Sequence, residues 1–167
     1  MFEMSSALPE HNEFMLAVQA LQQGGIVAYP TETFYGLAVD PANAAAVSAL
    51  YQLKQREAEK AISLLVPDLA TLSSYVSPFP TAYKILMKRF WPGPLTLVFE
   101  PVDRSFQHIS KRDQTLAIRI SSHPVAHRFC RLFGAAVTAS SANMSCNSAL
   151  CTAAEVRELC GEKVAYV

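Results

Sequence analysis

Short apolar runs of strand length alternate with segments of helical periodicity along this chain. That alternation restricts the fold to a mixed sheet covered by helices. Residues 26–29, 61–66, 95–99, 116–120 and 135–139 are apolar runs bounded by turn residues, the pattern of buried strands. Between them, Phe14, Met15, Val18 and Leu21 recur at helical spacing within 12–23, with Gly24 and Gly25 placed to end the helix. Val47, Leu50 and Leu53 mark a second helix over 42–53. Pro67-Asp68 opens a short third helix, and 81–90, 124–133 and 153–160 carry further helical patterns. Residues 101–114 are polar and read as a loop, and 164–167 read as the start of a strand. The expected class is α/β (α+β), a mixed β-sheet with flanking helices.

A length of 167 residues fits one domain, taken here as 11–167 behind a loose tail at 1–10. Half of the residues are hydrophobic, 51%, and 17% are charged, which supports a full core and excludes a disordered chain. Lys plus Arg is 14 and Asp plus Glu is 14, so no net charge draws the protein to nucleic acid or to a membrane surface. The apolar runs are far shorter than the roughly 20 residues of a membrane span. The first ten residues lack a basic, then apolar, leader pattern. Cys130, Cys146, Cys151 and Cys160 match no zinc spacing and read as free thiols. These features predict a soluble, cytoplasmic protein.

Three polar stretches stand out. Tyr29-Pro30-Thr31-Glu32-Thr33-Phe34-Tyr35-Gly36-Leu37 leaves a strand directly, where ligands gather in α/β sheets, and Gly36 permits a tight bend or close backbone approach. It reads equally well as an ordinary strand-end turn. Lys54-Gln55-Arg56-Glu57-Ala58-Glu59-Lys60 offers a point charge and a planar fork suited to phosphate or carboxylate oxygens. Its spacing alone favours a solvated charged loop, and it is not a Walker loop. Thr138-Ala139-Ser140-Ser141-Ala142-Asn143-Met144-Ser145 leaves another strand and suits either an anion nest or a helix cap. Arg119 closes an apolar strand, where a charge needs an anionic partner, so it is expected to point into a site. His123 and His127 are four apart, a metal-ligand spacing, but no third ligand accompanies them.

Taken in order, five motifs resemble the YrdC-like family, the threonylcarbamoyl-AMP synthases. They are Pro30-Thr31-Glu32-Thr33-Phe34-Tyr35-Gly36-Leu37, Leu53-Lys54-Gln55-Arg56 with Lys60, Trp91-Pro92-Gly93-Pro94-Leu95-Thr96, Leu116-Ala117-Ile118-Arg119 with His123-Pro124, and Ser141-Ala142-Asn143-Met144-Ser145. The resemblance spans roughly residues 12–160. It implies a YrdC-like fold, a twisted mixed sheet with helices around a concave basic cleft. It implies a nucleotidyltransferase that makes threonylcarbamoyl-AMP and pyrophosphate from L-threonine, bicarbonate and ATP with Mg²⁺. Partner proteins then transfer the threonylcarbamoyl group to adenosine 37 of tRNA. By the same resemblance Lys54, Arg56, Lys60, Ser141 and Asn143 hold ATP, and Thr31, Arg119 and Ser140 hold threonine. No residue is assigned as a metal ligand or as a covalent catalyst.

The chain departs from the family pattern at four places. Glu57 stands where Pro usually follows Lys-x-Arg, and Ser121 stands where many members have Pro. Cys146 replaces a usual Gly, and members commonly continue past the position of Val167 to further nucleotide contacts. The nucleotide half is therefore expected to be the less complete one. These departures keep two other readings in view: a module that binds double-stranded RNA or tRNA, and a paralogue without the activity.

Overall fold

A computed structural model of the chain describes residues 10–57, 60–76, 78–103, 106–110, 114–143 and 150–167. In chain order the elements are α1 (His11–Gln22), β1 (Val27–Tyr29), β2 (Gly36–Ala38), α2 (Ala44–Lys54), β3 (Leu64–Leu65), α3 (Leu69–Tyr75), α4 (Thr81–Phe90), β4 (Leu97–Phe99), α5 (Gln107–Ser110), β5 (Leu116–Arg119), α6 (Pro124–Phe133), β6 (Val137–Thr138), β7 (Ser140–Ser141) and α7 (Ala153–Cys160). A 3₁₀ turn, Gly161–Lys163, follows α7.

The helices begin where their capping chemistry allows. The Glu10 N–H donates to the Glu13 carboxylate at 2.8 Å ahead of α1. Asn43 Oδ1 accepts from the N–H groups of Ala45 and Ala46, both at 3.1 Å, and fixes the start of α2. Thr152 and Glu155 form a capping box on α7. His123 caps α6, with Pro124 at its first position. Gly24, at φ +83°, turns the chain out of α1 in a conformation that strongly favours glycine.

The strands form two sheets. One has the order β1-β2-β7 and is antiparallel throughout. The other has the order β4-β5-β3-β6, in which only β3 and β5 run parallel. Side chains alternate between two apolar clusters with the period of a strand. Ala28, Leu37 and Leu64 enter one cluster with Leu50, Leu72 and Ile118. Val27, Tyr29, Ala38 and Leu65 enter the other, with Phe14 and Leu21 of α1 and Phe129 of α6. Both faces of the strands are thus buried, which explains why the sequence shows continuous apolar runs there rather than a clean polar alternation.

Thr138 joins the sheets. It is fully buried, and its N–H donates to the Val39 carbonyl at 3.1 Å. Its hydroxyl accepts from the Val39 N–H at 2.9 Å and stands 3.3 Å from the Leu37 carbonyl, to which it donates. Its carbonyl accepts from the Tyr29 hydroxyl at 3.1 Å. One residue further, the Ala139 N–H donates to the Ser63 carbonyl at 2.7 Å, and the chain passes from β6 into β7.

The structure departs from the sequence reading in several places. The expected loop at 101–114 contains α5, whose Ile109 is fully buried and whose N-terminal neighbour Phe106 packs edge-on against Tyr75 at 5.0 Å. Two apolar residues were too few to show a period. The run at 61–66 is a strand only at Leu64–Leu65, because the Ile62 N–H is taken by the Ile109 carbonyl of α5. The polar stretches after Pro30 and at 140 contribute strands β2 and β7, which carry no apolar alternation. At the C-terminal end, 164–167 forms a parallel bridge, Val27 with Tyr166, rather than a strand. Of the tail expected at 1–10, residues 1–9 lie outside the described residues, and Glu10 caps α1. Cys130, Cys151 and Cys160 are free thiols, and burial pushes the Cys130 thiol up to about 12.

Replacing Thr138 by the isosteric Val tests this junction. The change leaves the Val39 N–H buried without its hydroxyl acceptor and is expected to cost about 1–3 kcal/mol in urea unfolding. A variant as stable as the parent would show that the hydroxyl does not join the sheets.

Candidate functional site

A pocket of about 260 Å³ opens where the two sheets meet. Its walls come from five distant segments: the turn after β1, the end of β5, the β6–β7 crossing, and Ser63 and Thr96 at the starts of β3 and β4. Thr31, Arg119 and Ser140, expected to act together, all line it, as does Ser141. Among the described residues its only charged lining residue is Arg119; the other polar ones are hydroxyl-bearing Ser, Thr and Tyr.

The turn after β1 is held by its own side chains. Thr31 Oγ1 accepts from the N–H groups of Thr33 at 3.2 Å and Phe34 at 3.3 Å, and donates to the Phe34 carbonyl at 2.7 Å. These bonds present the hydroxyl edge of the turn to the pocket. Gly36 provides the close approach expected of it, since a Cβ there would stand 2.9 Å from Cζ of Tyr29. That ring is buried and tied by its hydroxyl to Thr138, so it cannot swing away. Burial raises the Tyr29 phenol well above its ordinary value, which keeps it a neutral donor.

Arg119 ends β5, and its side chain is 14% exposed. It forms an ion pair with Glu32, Nη1 to Oε1, at 3.2 Å. Ser121 donates to the other Glu32 oxygen. The sequence reading predicted an anionic partner for Arg119 but did not identify it. Glu32 was already in the quoted motif, and only the fold brings it across from β1 to β5.

The residues expected on the nucleotide side sit differently. Lys54, at the C-terminal end of α2, is 2% exposed rather than part of a solvated loop. Its ammonium donates to the Ser141 carbonyl, to the Asn143 carbonyl at 2.8 Å and to Asn143 Oδ1 at 2.9 Å. Ser141 Oγ donates to the same Oδ1 at 2.7 Å. Lys54 therefore clamps 141–143, one edge of the pocket. Burial, and secondarily the Arg56 charge, push its ammonium from 10.5 down to about 8. Gln55, at φ 48°, turns the chain away after Lys54. The guanidinium of Arg56 then donates to the Ala61 carbonyl at 2.7 Å, and Lys60 pairs with Glu57 at 3.2 Å on the surface. Neither Arg56 nor Lys60 lines the pocket. Met144, Ser145 and Cys146 lie outside the described residues.

His123 accepts from the Val125 N–H through Nδ1, and His127 meets the Pro67 carbonyl at 3.0 Å, so both imidazoles have structural partners. Among the described residues no group of three or more His, Cys, Asp or Glu could hold a metal ion. Among them, too, no helix is long and apolar enough to cross a membrane.

A family model described as "Telomere recombination" (Sua5_yciO_yrdC) matches residues 19–167. The chain belongs to the Sua5/YciO/YrdC family. A Threonylcarbamoyl-AMP synthase of Halorhodospira halophila is 38% identical over 148 residues, covering 89% of this chain and 78% of that protein. One from Idiomarina loihiensis is 41% identical over 150 residues, covering 86% and 78%. A solved structure, P. abyssi Sua5 complexed with L-threonine, is similar with a TM-score of 0.87 and 29% identity. It covers 96% of this chain and 47% of that one, so this chain spans about half of the Sua5 protein. The Sua5/YciO/YrdC fold is the one expected from the five motifs.

Lys54 yields a signed prediction. Between pH 8 and 10.5 the unfolded chain holds a proton on this lysine that the folded chain has released. The contribution of Lys54 to stability should therefore rise with pH across that window. Lys54→Met removes the rise and, by leaving carbonyls unpaired, should cost about 1–3 kcal/mol at pH 7. Urea unfolding of both proteins from pH 7 to 11 measures this, and parallel pH curves would contradict the depressed lysine.

Proposed function

We propose that this protein is a threonylcarbamoyl-AMP synthase that uses L-threonine, bicarbonate and ATP in the cytoplasm. The observation that carries the reading is the convergence of Thr31, Arg119 and Ser140 on one small pocket. A relative with the same fold was solved with L-threonine, and the named relatives are synthases of this type. A pocket of about 260 Å³ has room for an amino acid.

The reaction needs placement and charge stabilisation more than a covalent nucleophile. The threonine amine takes up bicarbonate with loss of water and becomes a carbamate. A carbamate oxygen forms a bond to the α-phosphorus of ATP, and the bond to the β-phosphate oxygen breaks, releasing pyrophosphate. In this chain Arg119 takes the amino-acid carboxylate, as the only cation on the pocket wall among the described residues. Thr31 and Ser140 orient the substrate through hydroxyls whose positions are fixed by the turn after β1 and by the pairing of β7 with β2.

ATP belongs beside the edge formed by Lys54, Arg56, Lys60, Ser141 and Asn143. There Lys54 acts chiefly by shaping 141–143, while Ser141 faces the pocket. Arg56 and Lys60 would have to leave the Ala61 carbonyl and Glu57 to meet phosphates. Among the described residues the pocket wall holds no Asp or Glu, so Mg²⁺ would be carried by the phosphates, whose charge it would neutralise. The adenylate is a mixed anhydride, and its natural consumers are proteins that pass the threonylcarbamoyl group to adenosine 37 of tRNA.

The test supplies ATP, Mg²⁺ and bicarbonate and follows pyrophosphate with and without threonine. Threonine-dependent release is expected, and Arg119→Ala should lower kcat/KM for threonine on the order of a hundredfold. Release that ignores threonine, beside an active relative, would remove the reading.

A further inference from the structure

Arg119 projects from the end of a strand on a long, flexible side chain, yet the proposed reaction needs its guanidinium in one place. Its partner Glu32 is 15% exposed and does not line the pocket. Ser121 is 3% exposed. The Ser121 hydroxyl accepts from the His123 N–H at 3.1 Å, and a backbone N–H can only donate. The hydroxyl proton is therefore free to be given to Glu32, and Ser121 does give it to Oε2. The direction of every bond in this chain of contacts is thus fixed, starting from the backbone just before α6.

Glu32 Oε1, the atom nearest Arg119, is buried and accepts no hydrogen bond. It meets Nη1 as a charge, at 3.2 Å, outside hydrogen-bond geometry. Among the described residues the guanidinium makes this ion pair and no hydrogen bond, so its donors remain for a ligand. A carboxylate that took Arg119 as a bidentate fork would block it. One that touches a single edge, itself anchored by a serine, orients it and leaves it open.

We propose that Glu32 and Ser121 are positioning residues, which hold Arg119 from behind so that its free edge meets the carboxylate of the amino-acid substrate. This inference rests on the pocket being the threonine site. Glu32 fixes the angle of the guanidinium, and Ser121 fixes Glu32. The two act in series, so Ser121 has no effect once Glu32 is gone.

The experiment compares Glu32→Ala, Ser121→Ala, Ser121→Thr and the double variant E32A/S121A. It reads threonine KM, ATP KM and kcat for pyrophosphate release, threonine binding by calorimetry, and the thermal midpoint. Glu32→Ala should raise threonine KM and Kd roughly tenfold while ATP KM stays within about twofold. Ser121→Ala should raise threonine KM about threefold, Ser121→Thr should restore most of it, and the double variant should match Glu32→Ala alone. A lower or unchanged threonine KM in Glu32→Ala would mean that Glu32 only damps the arginine charge, and would overturn the proposal. Equal rises in both KM values, or additive effects in the double variant, would do so too by pointing to general damage. If Glu32→Ala does not fold, Ser121→Ala against Ser121→Thr decides through the same KM comparison. Should the parent protein neither bind threonine nor respond to it, the substrate reading fails and takes this inference with it. A parent that binds threonine beside indifferent variants overturns this inference alone.

Discussion

The junction at Thr138 is the constraint on which the rest of the structure depends. Short strands do not make a stable sheet alone, and several here are two residues long. Thr138 couples them by bonding to Val39, Leu37 and Tyr29 of one sheet while it pairs with Leu64 of the other. Because the chain crosses between sheets there, Ala139, Ser140 and Ser141 run along the seam with their polar groups toward the pocket. Gly36 completes the geometry by letting the Tyr29 ring lie against the backbone of β2.

Two cations are then placed by opposite means. Lys54 donates to carbonyl and amide oxygens of 141–143, while its burial and the nearby Arg56 charge lower its pKa. Arg119 is instead paired with a full counter-charge, the Glu32 carboxylate. The first arrangement builds a wall. The second leaves a charge on the pocket wall. That division suits a reaction in which one substrate carries a carboxylate and the other is gripped along its phosphates.

The sequence made some of this readable and not the rest. The helices around 12–23, 42–53, 81–90, 124–133 and 153–160 were legible because each carries enough apolar residues to show a period, or a cap that marks its start. α5 was not, because Phe106 and Ile109 are too few to show one. β2 and β7 were read as turns, because Gly36, Ser140 and Ser141 lack strand character and pair only by virtue of the seam. The charged stretch 54–60 was read as phosphate-facing or solvated. Lys54 is not solvated, since α2 ends against 141–143, a contact between segments far apart in sequence.

By itself the sequence determined the class of fold and the family, and it marked the candidate site residues as five ordered motifs, because those depend on local patterns and on residue identity. Only the tertiary structure decided which of them meet. It set Thr31, Arg119 and Ser140 on one pocket, turned Arg56 toward a backbone carbonyl, and placed Glu32 behind Arg119 with Ser121 holding it. The physical reason is that an ion pair or a buried hydrogen bond depends on separations of about 3 Å, which packing between distant segments sets and no spacing along the chain records.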